Sequence, residues 1–290
     1  MKNKIIILLT FLLLGMQNCT IPVQKEEKQI LSYKLEYYKT NQKPQGILVQ
    51  LDPISFPINV LEKNWIPFLL KKNYHIVQIH QKEKKILSTQ ELQAIIDNLK
   101  IHFNTDNLIL TGISFGGISI LDWMNETENL SSISRIILIG TGWDYHYSGN
   151  LFYENKDILN HKIEEINNPK FQSYKTYLLK NYDSSLINKF FIPAINTEQK
   201  TIQYINKHNI PVLIVIGKID NFSPEDSIIT FIKHYSNCKF STKLNRCYYI
   251  EASRANFFDI DYNHFDLFLY NDVKDDLYED IEEWLDENFM

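Results

Sequence analysis

The chain has 290 residues, of which 44% are hydrophobic and 22% are charged, a composition that is ordinary for one globular domain. Its formal net charge is −5 and its isoelectric point is about 5.9, so the chain has no excess of basic residues that would bind the phosphate backbone of a nucleic acid. Nucleic acid is therefore excluded as an expected partner.

The start of the chain has the pattern of an export signal. Lys2 and Lys4 precede an apolar stretch over 5–14, which is shorter than the roughly twenty residues that a membrane-spanning helix needs. The stretch ends in Gly15-Met-Gln-Asn-Cys19, which resembles the end of a bacterial lipoprotein signal. The resemblance implies a signal peptide over 1–18 and lipid modification of Cys19, which would attach the exported protein to a membrane of the cell envelope.

Two positions depart from the lipoprotein pattern. Met16 stands where leucine is usual, and Asn18 stands where a small residue is usual. Ordinary secretion and an uncleaved anchor therefore remain alternatives to lipidation. With the lipoprotein interpretation, residues 19–29 are predicted to be a polar tether and the folded domain to begin at residue 30.

Hydrophobic periodicity predicts the elements of the first half of the domain. Alternation predicts a strand over 30–38, and apolar runs predict buried strands over 46–50 and 75–80. Helical spacing predicts a helix over 60–70 and a second helix capped by Thr89, whose buried face consists of Leu92, Ile95, Ile96 and Leu99. Helices that alternate with strands are typical of a parallel sheet.

A short apolar run over 108–110 predicts a strand that leads into the sequence Gly112-Ile-Ser-Phe-Gly116, and helical spacing follows it. This G-x-S-x-G pattern is typical of a nucleophile elbow, a tight turn from a strand into a helix that exposes the serine hydroxyl. Side chains at Gly112 and Gly116 would collide with neighbouring backbone in such a turn. Ser114 is therefore the predicted nucleophile.

The second half of the chain adds further strands and one long insertion. Buried strands are predicted over 135–140 and 211–217, and the interval between them is too long for a simple crossover. This interval, 143–209, is rich in aromatic residues and is broken at Pro169 and Pro193, and we interpret it as a helical lid. Its aromatic side chains either line an acyl pocket or, for the majority, pack the insertion's own core. The predicted order ends with a helix over 225–235, a strand over 247–251 and an acidic helix over 274–289.

From residue 45 to 290, this order of elements resembles the α/β-hydrolase superfamily. The resemblance implies an α/β fold with a mostly parallel central sheet flanked by helices. In that family the catalytic acid follows a strand that ends in glycine, and the histidine follows the last strand; Asp220 and His264 match these places. The resemblance thus implies a triad of Ser114, His264 and Asp220, with His264 as general base.

Other residues compete for two of these roles. Asp144 follows the preceding strand, where some members of the family place the acid. His234 lies within a predicted helix and is expected to be solvated there, whereas His264 lies in a loop after a strand. Asp266 is expected to cap or position that loop.

An acyl-transfer site also needs two backbone N–H donors for the oxyanion. Phe115, directly after the nucleophile, is the predicted first donor. In the family, the second donor follows the strand that ends here at Gln50, often at a His-Gly pair, but this chain has Leu51-Asp-Pro53. Leu51 is the predicted second donor, with Asp52 or a differently built oxyanion hole as alternatives. A carboxylate of Asp52 that faced the site would oppose the oxyanion.

Together these features predict a lipase-like or esterase-like serine hydrolase that cleaves carboxylic esters and requires no cofactor. Peptidases, thioesterases and acyltransferases share the same catalytic parts, and a non-catalytic exported binding protein on this scaffold is the alternative of another class. The expected partner is a small-molecule or lipid ester. No Cys/His spacing predicts a metal site. Cys238 and Cys247 are left open as a disulfide or two thiols.

Overall fold

The computed structural model describes residues 24–52, 65–80, 87–127, 130–141, 210–216, 247–251 and 281–286. The strands of this part of the chain are β1 (Gln24–Ile30), β2 (Tyr33–Lys39), β3 (Gly46–Leu51), β4 (Tyr74–Ile79), β5 (Leu108–Ile113), β6 (Ile133–Ile139), β7 (Val212–Ile216) and β8 (Cys247–Glu251). The helices are α1 (Trp65–Lys71), α2 (Thr89–Phe103), α3 (Phe115–Glu126) and α4 (281–286).

All of these strands belong to one sheet in the order β1-β2-β4-β3-β5-β6-β7-β8. The six strands from β3 to β8 are parallel, and β1 and β2 are antiparallel strands at one edge. The register brings Leu51 opposite Gly112, and Gly112 opposite Leu138. The predicted mostly parallel sheet flanked by helices is confirmed.

The edge strand β1 is formed by residues that were predicted to be a tether. Its side chains are exposed except for that of Ile30, so the segment lacks the apolar alternation that identifies a strand from sequence. Cross-strand ion pairs fix it instead, such as Lys39 with Glu26 at 2.8 Å. The folded domain therefore begins no later than Gln24, and a turn at 31–32 interrupts the strand predicted over 30–38.

The helices α2 and α3 cover one face of the sheet. A buried apolar cluster joins them to β2, β3, β4 and β5, with Trp123 and Met124 contributed by α3. The predicted buried face of α2 is confirmed, since the cluster includes Leu92, Ile95, Ile96 and Leu99.

The N-cap residue of α2 is Ser88 rather than Thr89. The Ser88 hydroxyl oxygen accepts from the Glu91 N–H at 3.3 Å, and the Glu91 carboxylate accepts from the Ser88 N–H at 3.1 Å. This reciprocal pair is a capping box, and it depends on glutamate three residues after the cap. Thr89, which was predicted to cap the helix, is its first helical residue, because only Ser88 has Glu91 at that spacing.

The opposite face of the sheet carries α1 and α4. Arg135 on β6 donates to the carbonyl oxygens of Trp284, at 3.2 Å, and Leu285 at the end of α4. Lys72, directly after α1, forms an ion pair with Glu282 on α4. Helices therefore pack on both faces, as the predicted segments over 60–70 and 274–289 require.

Several predictions fall outside the described residues. These are the signal peptide, Cys19 and its lipid, the helical lid over 143–209, and Cys238 with its bond to Cys247. Within the described ranges, no helix is both long and apolar enough to cross a membrane.

Asp122 on α3 is a largely buried carboxyl group. Burial, with a smaller contribution from the charge of Glu126, raises its pKa from 3.8 to about 6. Because the folded protein binds this proton more tightly than the unfolded chain, the free energy of unfolding decreases as the pH rises from about 4 to about 6. An ionised Asp122 therefore destabilises the fold at neutral pH.

We expect Asp122→Asn to increase the free energy of unfolding at pH 7.5 by roughly 1 to 2 kcal/mol, because the amide needs no ionisation. At pH 4 the gain should be well under half as large. Urea unfolding at the two pH values measures both gains. Asp97→Asn, at an exposed position of α2, is the matched control and should change little. Equal gains from Asp122→Asn at both pH values would contradict ionisation as the cause.

Candidate active site

Ser114 is the single residue between β5 and α3. Its N–H donates to the carbonyl oxygen of Ile139 at 2.9 Å, so the pairing of β5 with β6 continues to Ser114 itself. Its carbonyl oxygen accepts from the N–H of Gly117 at 3.0 Å. The strand therefore passes into the helix at Ser114, which is the strand-turn-helix context expected of a nucleophile elbow.

The backbone of Ser114 is strained. Its φ is 50° and its ψ is −116°, a combination that residues with a Cβ atom rarely adopt. Such a conformation costs about 1 to 3 kcal/mol and persists where the surrounding structure holds the chain on both sides. Here the ladder to β6 and the first turn of α3 hold it.

The glycines around Ser114 are required by close backbone contacts. A Cβ atom at Gly116 would overlap the carbonyl oxygen of Leu51 and lie 2.7 Å from its carbonyl carbon. A Cβ atom at Gly112 would overlap the backbone of Gly117 and lie 2.9 Å from the carbonyl carbon of Gly116. The predicted collisions at Gly112 and Gly116 are confirmed.

A third glycine of the turn was not predicted to matter. A Cβ atom at Gly117 would lie 2.6 Å from Cγ2 of Thr141, the residue that follows β6 by one glycine. The Thr141 hydroxyl also lies 3.5 Å from the carbonyl oxygen of Ser114. The available signal in the sequence was the run of two glycines after Phe115, but Thr141, which contacts the second of them, is distant in sequence.

The two predicted oxyanion donors lie on adjacent elements. Phe115 is the first residue of α3, where backbone N–H groups have no acceptor within the helix. Leu51 is the last residue of β3, and its carbonyl group contacts Gly116. The N–H of Asp52 donates to the carbonyl oxygen of Ile79 on β4 at 3.3 Å. Successive N–H groups of a strand point to opposite sides, so the N–H of Leu51 points toward β5. The amide of Asp52 is therefore already engaged with β4, and Leu51 as donor stays a prediction.

The carboxylate of Asp52 is turned to the face of the sheet opposite α3. Leu51 belongs to the apolar cluster under α2 and α3, and successive side chains of a strand point to opposite faces. The Asp52 carboxylate accepts from Nε2 of Gln50 and from Nε2 of Gln78, each at 2.8 Å, and contacts Nδ1 of His80 at 3.0 Å. Both carboxylate oxygens are therefore engaged on that face.

A buried polar row accompanies Asp52 and was not predicted. The register aligns Glu36 with Gln78, Gln78 with Gln50, and Gln50 with Thr111, across β2, β4, β3 and β5. All four side chains are buried. The signal in the sequence was a polar residue at a buried position of each of four otherwise apolar strands.

The remaining predicted site residues lie outside the described residues. These are Asp220 and His264, together with the competing Asp144, His234 and Asp266. The structure thus brings Ser114, Phe115 and Leu51 together, and the acid and base stay predictions. Within the described part of the chain, no group of three or more His, Cys, Asp or Glu residues has the arrangement of a metal site.

No protein-family model matches the chain, and no curated protein matches it in sequence. Solved structures match it over most of its length. The esterase EaEST from Exiguobacterium antarcticum is 14% identical with a TM-score of 0.58, and the match covers 91% of this chain and 100% of that one. MGS-M2, an α/β hydrolase enzyme from a Medee basin deep-sea metagenome library, is 12% identical with a TM-score of 0.54, over 91% and 98%. The bromoperoxidase from Bacillus anthracis is 10% identical with a TM-score of 0.58, over 91% and 100%.

These proteins carry different activities on one architecture. The chain has the α/β-hydrolase fold. In open α/β sheets, ligands bind outside the carboxyl ends of the parallel strands. Ser114 after β5, Asp52 after β3 and Thr141 after β6 all lie at that edge of this α/β-hydrolase fold.

Proposed function

We propose that the protein is a serine hydrolase that cleaves carboxylic esters through an acyl-enzyme on Ser114. The observation that carries this proposal is the backbone of Ser114, held at a φ of 50° between β5 and α3 while Gly116 is pressed against Leu51. A passive serine gains nothing from a strained position, and glycine or asparagine would fill it at lower cost. A nucleophilic serine benefits from the turn, because the turn projects its hydroxyl into the cleft.

Ester substrates are supported by similarity of fold and by the predicted insertion. EaEST, one of the similar structures, is an esterase. Because one fold hosts several chemistries, as the bromoperoxidase illustrates, this support is an analogy and the substrate class needs its own test. The aromatic insertion over 143–209 favours an apolar acyl group, and a lipid on Cys19 would hold the exported enzyme at a membrane of the cell envelope.

In the proposed reaction, His264 removes the proton of the Ser114 hydroxyl as its oxygen attacks the carbonyl carbon of the ester. Asp220 orients the imidazole and stabilises its positive charge. The amide of Phe115 and a second amide near the end of β3 bind the oxyanion. Collapse of the tetrahedral intermediate breaks the bond to the alcohol, which leaves with the proton from His264. Water then attacks the acyl-enzyme by the same steps and releases the acid.

A fluorophosphonate probe tests the proposal, because it reacts with an activated serine. We expect the probe to label the wild-type protein on the peptide that contains Ser114, as read by mass spectrometry. His264→Ala should slow the labelling by at least about 100-fold, since the general base is lost. His234→Ala is the matched histidine variant and should label at the wild-type rate.

Each other outcome has a definite meaning. A folded wild-type protein that is not labelled would favour the alternative of a non-catalytic exported binding protein on the same scaffold. Slow labelling of His234→Ala with normal labelling of His264→Ala would move the general base to His234. Labelling without ester hydrolysis would direct the search toward peptides, thioesters or acyl transfer, which use the same nucleophile.

A further inference from the structure

Thr141 is a buried polar residue beside the serine turn, and it is 2% exposed. Backbone hydrogen bonds fix the chain just before it. The carbonyl oxygen of Ile139 accepts from the N–H of Ser114 at 2.9 Å, and the N–H of Gly140 donates to the carbonyl oxygen of Val215 on β7 at 2.8 Å. Gly140 has a φ of 56°, a left-handed conformation that glycine adopts without strain. This turn after β6 brings Thr141 to the start of α3.

The side chain of Thr141 occupies the space that a side chain at Gly117 would fill. A Cβ atom at Gly117 would lie 2.6 Å from Cγ2 and 2.8 Å from Cβ of Thr141, and it would overlap the threonine hydroxyl. Thr141 therefore packs directly on the backbone in the first turn of α3. In this position its hydroxyl donates to the carbonyl oxygen of Ser114, with 3.5 Å between the two oxygens.

The peptide group between Ser114 and Phe115 links this contact to the proposed chemistry. Its carbonyl belongs to Ser114, and its N–H belongs to Phe115, the predicted first oxyanion donor. Because a trans peptide group is planar, its C=O and N–H bonds point in opposite directions and rotate together. A group that holds the Ser114 carbonyl oxygen therefore also sets the direction of the Phe115 N–H.

Donors from two different elements hold this carbonyl oxygen. The N–H of Gly117 donates from within α3 at 3.0 Å, and the hydroxyl of Thr141 donates from the end of β6 at 3.5 Å. The second distance is long for a hydrogen bond between two oxygens, so its contribution in the resting protein is small. Its origin is what distinguishes it, because Gly117 moves with α3 whereas Thr141 connects the peptide group to the sheet.

The contact is expected to strengthen as the reaction proceeds. When the N–H of Phe115 donates to the oxyanion, its peptide group is polarised and the carbonyl oxygen of Ser114 becomes more negative. Hydrogen bonds to a more negative oxygen are shorter and stronger. The Thr141 hydroxyl therefore stabilises the transition state more than it stabilises the bound ester, and only such a difference raises kcat.

We propose that Thr141 is a positioning residue for the oxyanion hole, and that it acts through the peptide group between Ser114 and Phe115. The proposal rests on the proposed serine hydrolase function. Packing on Gly117 sets where the Thr141 hydroxyl lies, and the hydroxyl supplies the effect on the rate. Thr141 is not a catalytic residue, because its hydroxyl contacts the carbonyl end of the peptide group and not the N–H that would bind the oxyanion.

The first experiment compares kcat and KM for p-nitrophenyl acetate in the wild-type protein, Thr141→Val and Thr141→Ser. Valine keeps the branched shape without the donor, and serine keeps the donor. We expect Thr141→Val to lose about threefold to tenfold in kcat, with KM changed less than about twofold, and Thr141→Ser to stay within about twofold of the wild-type kcat. Thr111→Val is the matched control, because Thr111 on β5 is equally buried and its hydroxyl has no partner among the described residues.

A second measurement distinguishes positioning from a loss of stability. A trifluoromethyl ketone forms an oxyanion on the nucleophilic serine, so its inhibition constant should rise in Thr141→Val by the same factor by which kcat/KM falls. Titration with the fluorophosphonate probe counts the active molecules, so a smaller folded fraction changes neither value. If Thr141→Val does not fold, Thr141→Ala takes its place, since alanine has no side-chain atom at the position of the hydroxyl.

The outcomes separate this proposal from the one on which it depends. A wild-type protein that neither hydrolyses the ester nor reacts with the fluorophosphonate probe would overturn the serine hydrolase function. A labelled and active wild-type protein whose Thr141→Val or Thr141→Ala variant keeps kcat and inhibitor binding would overturn the role of Thr141 alone. An equal loss of kcat in Thr141→Ser or in Thr111→Val would do the same, because the donor would then not be the cause.

Discussion

Replacing Ser114 with alanine is expected to lower kcat for a short p-nitrophenyl ester by about 10⁴-fold to 10⁶-fold. The oxygen that forms the acyl-enzyme is removed, and no other described side chain occupies the turn between β5 and α3. Alanine keeps the Cβ atom and the backbone conformation, so the urea midpoint should stay close to the wild-type value. Steady-state kinetics and urea unfolding of the same preparations measure both effects.

Ser119→Ala is the matched control for the loss of a hydroxyl. Ser119 lies on α3, is 1% exposed, and its hydroxyl has no hydrogen-bond partner among the described residues. Its removal should therefore leave kcat near the wild-type value. If Ser114→Ala retained wild-type kcat, Ser114 would have no part in the chemistry.

The strain at Ser114 gives a second readout that is independent of activity. Ser114→Gly removes the Cβ atom that makes a φ of 50° unfavourable, at the cost of a more flexible unfolded chain. We expect the glycine variant to be inactive and to be more stable than Ser114→Ala by about 1 kcal/mol. A nucleophile that destabilises its own turn is an instance of the trade-off between stability and activity. A glycine variant less stable than the alanine variant would show that the turn is not strained.

The parallel strands and the serine turn were predictable because their signals are local. Each parallel strand is a short apolar run, and the turn is marked by glycines in a chain that has only nine of them. The bounds of the parallel strands moved by one to three residues, since ladder pairing rather than hydrophobicity ends a strand. Thus β3 extends to Leu51, and pairing with β6 extends to Ser114.

The edge strand β1 and the contact between Glu36 and His80 were not predictable, because the residues that pair in each are distant in the chain. Glu26 and Lys39 make a strand stable only when the antiparallel hairpin brings them together. In the same way, Glu36 and His80 meet only after β2 and β4 pair. Each of these residues belongs to a polar type that is usually exposed to solvent, so sequence periodicity does not predict that it is buried or paired.

Replacing Gly116 with alanine is expected to lower the free energy of unfolding by about 3 kcal/mol or more. The new Cβ atom would overlap the carbonyl oxygen of Leu51, which is backbone in the middle of a parallel sheet and cannot rotate away. The end of β3 and the start of α3 must then separate. The separation displaces Ser114 relative to the predicted oxyanion donors, so kcat should fall by about 100-fold in the molecules that remain folded.

Alanine substitutions at two other glycines test whether backbone contact causes the loss of stability expected for Gly116→Ala. At Gly46 an added Cβ atom would lie 3.4 Å from the ring of Tyr74, which is ordinary contact, so Gly46→Ala should be nearly neutral. At Gly117 the obstacle is the side chain of Thr141, so the loss caused by Gly117→Ala should be partly restored by adding Thr141→Gly. No side-chain removal can restore Gly116→Ala in this way, because the obstacle at Leu51 belongs to the main chain. A nearly neutral Gly116→Ala, measured by urea unfolding, would mean that β3 and α3 do not approach each other this closely, and the tight turn proposed for the nucleophile would be wrong.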